Sequence, residues 1–139
     1  MKNKLMCLVM VLMLLPLSFM FCGCKYKTYE FYGIIGKDNK TIIPYEEITD
    51  EADKAKLSLY EDSTIKLKSD NTYTRTIVSK VSTQVDAFYT FSESGRYELE
   101  DKSLVFIVTL TNGKEHQNQQ QFVDGKIIYY DSDYLLVYV

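Results

Sequence analysis

Five short turn-forming sequences, each between strand-forming segments, constrain the fold of this chain most strongly. They are Asp70-Asn71, Asp101-Lys102, Asn112-Gly113, Asp124-Gly125 and Ser132-Asp133. The segments between them are rich in β-branched and aromatic residues, which are typical of strands. Because each connection is too short for a crossover, consecutive strands must run antiparallel. The sequence therefore predicts an all-β antiparallel meander, and closure into an up-and-down β-barrel removes the edges that such a meander would expose.

The predicted strands are interrupted by one segment with a different period. The strands cover residues 26–36, 40–45, 63–69, 72–81, 84–91, 95–100, 103–110, 115–123, 126–131 and 134–139. Between Glu46 and Leu59 the apolar residues recur at helical spacing, as Ile48, Ala52, Ala55 and Leu59. Thr49 or Asp50 can cap such a helix. We expect one short helix at 46–59.

The N-terminal segment has the pattern of an export signal. Lys2 and Lys4 are followed by a stretch, Leu5 to Cys24, that contains no charged residue. Twenty uncharged residues can also cross a bilayer as an uncleaved helix. The sequence Phe21-Cys22-Gly23-Cys24 resembles the lipobox of bacterial lipoproteins, with Gly23 as the small residue before the modified cysteine. The resemblance implies a signal peptide at 1–23 and a diacylated Cys24 that anchors domain 24–139 to the extracytoplasmic face of the cell membrane.

The composition of domain 24–139 excludes several classes of protein. Without Lys2 and Lys4 it has 14 basic and 19 acidic residues, a charge of −5, which argues against a nucleic-acid partner. Cysteine occurs only within the first 24 positions and histidine only once, so neither a disulfide framework nor a zinc module is expected. The domain must be stabilised by one packed core, which at this size buries roughly two-thirds of the unfolded chain's surface.

Two sequence patterns resemble one family. They are the hairpin Ile65-Lys66-Leu67-Lys68-Ser69-Asp70-Asn71-Thr72-Tyr73-Thr74 and the segment from Gly95-Arg96-Tyr97 to Leu104-Val105-Phe106, followed by a terminal hairpin at Asp124-Gly125. They resemble the bacterial lipocalin-like lipoproteins, although Asn71 replaces the turn glycine and no Gly-x-Trp opens the first strand. The resemblance implies a calycin-type barrel with an internal ligand site, and it carries little information on function.

Two-residue loops at the turns would fix which side chains share a face. The predicted inward face joins Leu104, Phe106, Ile128 and Val137 to five polar or aromatic candidates for ligand contact: Tyr97, Gln117, Gln119, Gln121 and Tyr130. In the first hairpin, Thr74, Thr76 and Val78 share the face of Ile65 and Leu67. The opposite face carries an apolar patch of Val105, Ile107, Phe122, Ile127, Leu136 and Tyr138, to be covered by the helix or by a partner. Alternatively, residues 115–121 leave the barrel as a solvated hairpin.

Residues suited to catalysis are scarce. His116 is the only imidazole, and the acidic clusters lack the spacing of a calcium loop. We therefore expect no enzyme, no cofactor and no metal site. The leading hypothesis is a membrane-anchored barrel that binds a small ligand or an envelope component. The alternative is a structural lipoprotein with a solid core that binds a partner protein through its outer patch.

Overall fold

The computed structural model describes residues 25–80 and 88–139 of the chain. The predicted signal peptide, Cys24 and the segment 81–87 lie outside the described residues. The strands are β1 (Tyr26–Ile35), β2 (Ile42–Pro44), β3 (Thr64–Lys68), β4 (Thr72–Lys80), β5 (Phe88–Glu100), β6 (Ser103–Thr109), β7 (Glu115–Val123), β8 (Lys126–Asp131) and β9 (Tyr134–Tyr138). Helix α1 (Glu51–Leu57) lies between two 3-10 turns, Tyr45–Glu47 and Ser58–Tyr60.

Eight of the strands close into an antiparallel barrel, as predicted. Their order is β1, then β3 to β9 in sequence, and β9 pairs back onto β1 through Ile34 and Leu136. β2 extends the sheet beside β1. Residues 88–91 and 95–100, predicted to lie in two strands, belong to one strand, β5, which pairs with β4 from Phe88 to Arg96, and the predicted strand residues 84–87 lie outside the described residues. Within the described residues, no helix is long and apolar enough to span a membrane.

Aromatic side chains fill the barrel interior. The rings of Tyr73 and Phe106 lie 4.3 Å apart between centroids, and Tyr129 packs against Phe106 at 6.2 Å. Such ring pairs contribute about 0.5–1.5 kcal/mol beyond the area they bury. The buried core cluster consists of Tyr29, Ile48, Leu57, Tyr60, Ile65, Leu67, Tyr73, Leu104, Phe106, Ile127, Tyr129, Leu136 and Tyr138. The core is therefore more aromatic than the sequence analysis expected.

The helical segment closes one end of the barrel, but through other residues than predicted. Asp50 caps α1 by accepting a hydrogen bond from the backbone N–H of Asp53 at 2.9 Å. Ala52 and Ala55 are exposed, whereas Leu57 is completely buried. Of the predicted stripe only Ile48 is buried in the core, and Leu59 is exposed like the two alanines. The stripe fails there because the α-helix has only seven residues and continues into a 3-10 turn, where the side-chain period is shorter.

Two hairpin loops are one residue longer than predicted, and this inverts several faces. Leu110 donates its backbone N–H to the carbonyl of Lys114, which leaves a three-residue loop that ends at Gly113 with φ +78°. Phe106 consequently pairs with Asn118 instead of Gln119. Because strand side chains alternate, this single step exchanges the two faces of β7, β8 and β9.

The first hairpin shows the same shift. Asn71 adopts φ +64° at the end of a three-residue loop, so Leu67 pairs with Tyr73. Tyr73 and Arg75 therefore point into the barrel, and Thr74 lies on the outer face. Thr76 and Val78 alternate with Arg75 along β4 and therefore lie on the outer face, like Thr74.

The inverted strands overturn the predicted outer patch. Four of its members belong to the core or pack against it: Phe122, Ile127, Leu136 and Tyr138. Val105 and Ile107 do lie on the outer face, where Val105 pairs with the exposed Gln119. Ile128 and Val137, predicted to point inward, alternate with core residues and lie on the outer side of the wall. The docking patch proposed from the sequence does not exist as a surface.

Candidate functional site

The five predicted ligand contacts do not meet inside the barrel. Gln117, Gln119 and Gln121 are exposed on the outer face of β7, and Tyr130 is 63% exposed. Tyr97 is half-buried and packs against the core, where its hydroxyl donates to the carbonyl oxygen of Lys68 at 2.9 Å. The predicted inward orientation is wrong for the three glutamines and Tyr130. The alternative of a projecting hairpin is confirmed in part: residues 115–117 are exposed and β7 pairs with β8 only from Gln121 to Val123. Asn118 and Gln120 nevertheless hold β7 to β8 through side-chain hydrogen bonds.

Two of these glutamines nevertheless line a pocket on the outside of the barrel. The pocket has a volume of about 590 Å³ and lies between the β5–β6 turn and β7. Its lining is Glu100, Asp101, Lys102, Ser103, Gln119, Gln120, Gln121 and Val123. We call this feature the groove. Its amides can donate and accept hydrogen bonds, its carboxylates accept them, and its ammonium group donates them.

The inner wall of the groove is held by the side chain of Gln120. The backbone pairing between β7 and β8 ends at Gln121 and Ile128. Beyond that point Gln120 is 3% exposed, and its Oε1 accepts a hydrogen bond from the backbone N–H of Tyr130 at 2.6 Å. Its Nε2 donates to Oδ1 of Asn118 at 2.7 Å. A side-chain amide thus takes the place of a backbone carbonyl in the ladder and fixes the position of the groove-lining segment.

A buried arginine lies in the barrel interior behind this wall. Arg75 is 8% exposed, and its Nη1 donates to the hydroxyl of Tyr129 at 3.2 Å. The guanidinium carbon lies 4.1 Å from the centroid of the Tyr129 ring, a cation–π geometry. Asn118 Nδ2 donates to the same hydroxyl at 3.1 Å. Within the described residues, Arg75 Nε has no hydrogen-bond partner. The interior therefore holds an incompletely satisfied cation.

The tyrosine hydroxyls around Arg75 remain protonated at neutral pH. Burial raises the pKa of Tyr73, and its hydrogen bond to Glu93 Oε1 at 2.6 Å raises it further. Burial also raises the pKa of Tyr129, although the charge of Arg75 acts in the opposite direction. The pKa of Tyr138 is raised by burial and lowered in part by its hydrogen bond with Ser63. These groups are neutral partners for the guanidinium and do not cancel its charge.

Sequence reasoning missed the residues that build the groove and its inner wall. The sequence predicts a turn at Asp101 and Lys102, with Glu100 and Ser103 in the adjoining strands, and an inward Gln119 and Gln121 would place Gln120 on the outer face. The one available signal was the Asn112-Gly113 pair, which also fits a three-residue loop that ends in a left-handed glycine. His116 is exposed. Over residues 25–80 and 88–139, the histidine, cysteine and acidic side chains form no group of three that could hold a metal ion.

The similarity of this chain to known proteins was tested at the level of family, sequence and structure. No protein-family model, no curated protein and no solved structure matches it. The resemblance to bacterial lipocalin-like lipoproteins therefore stays a prediction. What the geometry establishes is an eight-stranded antiparallel barrel with a lipocalin-like architecture, a closed aromatic core and a polar groove on its wall.

Proposed function

We propose that the protein is a lipid-anchored extracytoplasmic barrel that binds a small polar ligand in the groove. The observation that carries this proposal is the size and lining of the groove, about 590 Å³ between the β5–β6 turn and β7. Small-molecule sites fall in the same range of volume. The lining offers a ligand the amides of Gln119 and Gln121, two carboxylates, one ammonium group and one hydroxyl, whereas the buried Gln120 amide is engaged in the wall. Such a set complements a ligand with many hydroxyl groups, each of which both donates and accepts, so we assign the ligand to the saccharide class.

The packing of the barrel supports a surface site over an axial one. The axis is occupied by rings such as those of Tyr73, Phe106 and Tyr129, which contact one another. A ligand on the axis would have to displace close-packed side chains at a cost of several kcal/mol. The groove needs no such rearrangement, because Gln119 and Gln121 are already exposed there.

Calorimetric titration with soluble oligosaccharides tests the groove. We expect at least one of two probes, chitotetraose and maltotetraose, to bind the full-length protein. Replacement of both Gln119 and Gln121 by alanine should weaken that binding by about tenfold or more, since each lost hydrogen bond contributes about 1 kcal/mol. Gln117→Ala is the matched control, because Gln117 lies on the same face of β7 but does not line the groove. Failure of both probes to bind, or equal losses in the control, would overturn the proposal.

Cys24 is the proposed attachment point for the lipid. Cells fed with a labelled fatty acid should incorporate it into the wild-type protein, and Cys24→Ala should abolish the incorporation because the acceptor thiol is missing. Cys22→Ala is the control, since Phe21 makes Cys22 a poor substitute for the residue that follows Gly23. Label retained in Cys24→Ala would contradict the assignment.

A further inference from the structure

Lysines surround the point where the chain enters the barrel. Tyr26, the first residue of β1, pairs with Lys68 of β3. Lys66 Nζ lies 4.6 Å from the Tyr26 ring centroid, which places both side chains on the outer face. Lys25 and Lys27 alternate with Tyr26 and therefore lie on the other face of β1, exposed at the end of the barrel, where Lys27 Nζ is 4.8 Å from the ring centroid of the core residue Tyr29. We call Lys25, Lys27, Lys66 and Lys68 the basic patch, and Tyr26 at its centre is 62% exposed.

The strand next to Lys66 and Lys68 carries no negative charge that would offset the basic patch. The outward residues of β4 that follow Lys66 and Lys68 across the sheet are Thr74 and Thr72, which carry no charge. Two carboxylates are near: Asp70 in the β3–β4 turn, which accepts a hydrogen bond from the backbone N–H of Thr72, and Glu30 further along β1. On β1, β3 and their turn, four lysines therefore meet two carboxylates, while the other carboxylates at this end, such as Glu98, Glu100 and Asp101, belong to β5 and the β5–β6 turn.

The lipid anchor of the proposed function would lie directly beside the basic patch. Only Lys25 separates Cys24 from Tyr26. Two residues span at most about 7 Å when fully extended. The Debye length at physiological ionic strength is about 8 Å. A diacylated Cys24 thus brings the basic patch within electrostatic reach of the lipid headgroups, because the chain has no linker that could hold the barrel away.

The groove lies on the opposite side of the barrel. In the ring of eight strands, β6 is equally far from β1 in both directions. The β5–β6 turn, which carries the exposed Glu100 and Asp101, therefore lies on the opposite wall from Tyr26, at the same end of the barrel. An anionic surface attracts the lysines and repels these carboxylates. The two forces act on opposite sides of one rigid barrel and tilt it in the same sense.

We propose that the barrel leans on an anionic lipid surface through the basic patch, with Tyr26 at the headgroup level and the groove raised toward solvent. This inference rests on the lipid anchor of the proposed function. The exposed ring of Tyr26 suits the membrane interface, where tyrosine places its apolar body toward lipid and its hydroxyl toward water. The lean gives the acidic domain one fixed orientation and leaves the groove open to ligand.

Lysine footprinting on vesicles tests the orientation. The full-length acylated protein is reconstituted into vesicles of phosphatidylcholine alone or mixed with phosphatidylglycerol, then treated with an amine-acetylating reagent and analysed by mass spectrometry. We expect Lys66 and Lys68 to react about threefold or more slowly on the anionic vesicles, because a surface potential near −30 mV keeps their amines protonated. Lys56 and Lys114, exposed in α1 and the β6–β7 turn at the other end, should react equally on both. High salt should remove the difference.

A charge-matched pair of variants completes the test. Lys66→Gln with Lys68→Gln should abolish the slowing at Lys25 and Lys27, whereas Lys56→Gln with Lys114→Gln, which removes the same charge elsewhere, should preserve it. Equal reactivity of the basic patch on both kinds of vesicle, with lipid present on Cys24 in the same digest, would overturn the lean and leave the anchor intact. Absence of lipid on Cys24 would overturn the anchor and, with it, this inference.

Discussion

Gly95→Ala should destabilise the barrel by about 3 kcal/mol or more. A Cβ at this position would lie 2.2 Å from the carbonyl oxygen of Ile107 and 3.0 Å from Cε1 of Tyr73. Neither atom can move away without a large cost in free energy. The first belongs to the backbone of β6, and the second to a ring that is 1% exposed and packed on Phe106. The new methyl group would therefore separate β5 from β6 or dislodge the central aromatic pair.

Urea unfolding followed by circular dichroism measures this loss. Gly113→Asn is the matched control, because Gly113 has open space around its Cβ position and a left-handed backbone that asparagine tolerates. The control should change the free energy of unfolding by about 1 kcal/mol or less. A Gly95→Ala protein as stable as the wild type would show that the close approach between β5 and β6 is not required.

The topology of the barrel could be predicted from the turns alone. Asp124 and Gly125 both adopt positive φ values, as a two-residue hairpin turn requires, and the predicted pairing of Gln121 with Ile128 is confirmed. The Ser132-Asp133 turn likewise has the register of a two-residue loop, in which Ile128 and Val137 share a face and pair with each other. Local turn chemistry determines strand order because every connection in a meander is local.

The face that each strand turns toward the barrel interior could not be predicted in the same way. Asn112-Gly113 fits a two-residue turn or the end of a three-residue loop, and these differ by one residue in register. The apolar pattern offers no correction, since β8 and β9 carry apolar side chains on both faces, as in Ile127-Ile128 and Leu136-Val137. The face chosen for β6, with Leu104 and Phe106, is the inner one, and the error in loop length then inverted β7, β8 and β9.

The candidate site was predicted only in part, for a related reason. Gln119 and Gln121 were chosen as amides that could contact a ligand, and both line the groove, but from the outer face. The other wall comes from the β5–β6 turn, which approaches β7 through pairing of Ser103 with Gln121. That contact depends on the register of a hairpin whose loop length was misjudged.

The buried Arg75 leads to a second large effect. Tyr129→Phe should destabilise the protein by about 2–3 kcal/mol, measured by urea unfolding. The substitution removes one hydroxyl that accepts hydrogen bonds from both Arg75 Nη1 and Asn118 Nδ2. It leaves the ring in place, so the core volume hardly changes. The loss arises because a buried cation and a half-buried amide each lose one hydrogen-bond acceptor.

Arg75→Met should leave the free energy of unfolding unchanged or increase it. Methionine fills a similar volume without a charge, and removal of the guanidinium eliminates the Nε that lacks a hydrogen-bond partner within the described residues. The Tyr129 hydroxyl keeps its bond from Asn118, and Tyr138 keeps its bond with Ser63. Replacement of a buried charge by an apolar side chain of similar size is often neutral or stabilising, by about 1–4 kcal/mol.

The double variant Arg75→Met with Tyr129→Phe separates two explanations of the buried cation. If the guanidinium is the group that needs Tyr129, the loss from Tyr129→Phe should shrink by about half or more once Arg75 is gone, because only Asn118 is then left without its acceptor. If Arg75→Met alone costs as much as Tyr129→Phe, the cation itself stabilises the barrel. The carboxylates near enough to act on the same tyrosines, Glu93 and Asp131, would then be its counter-charges.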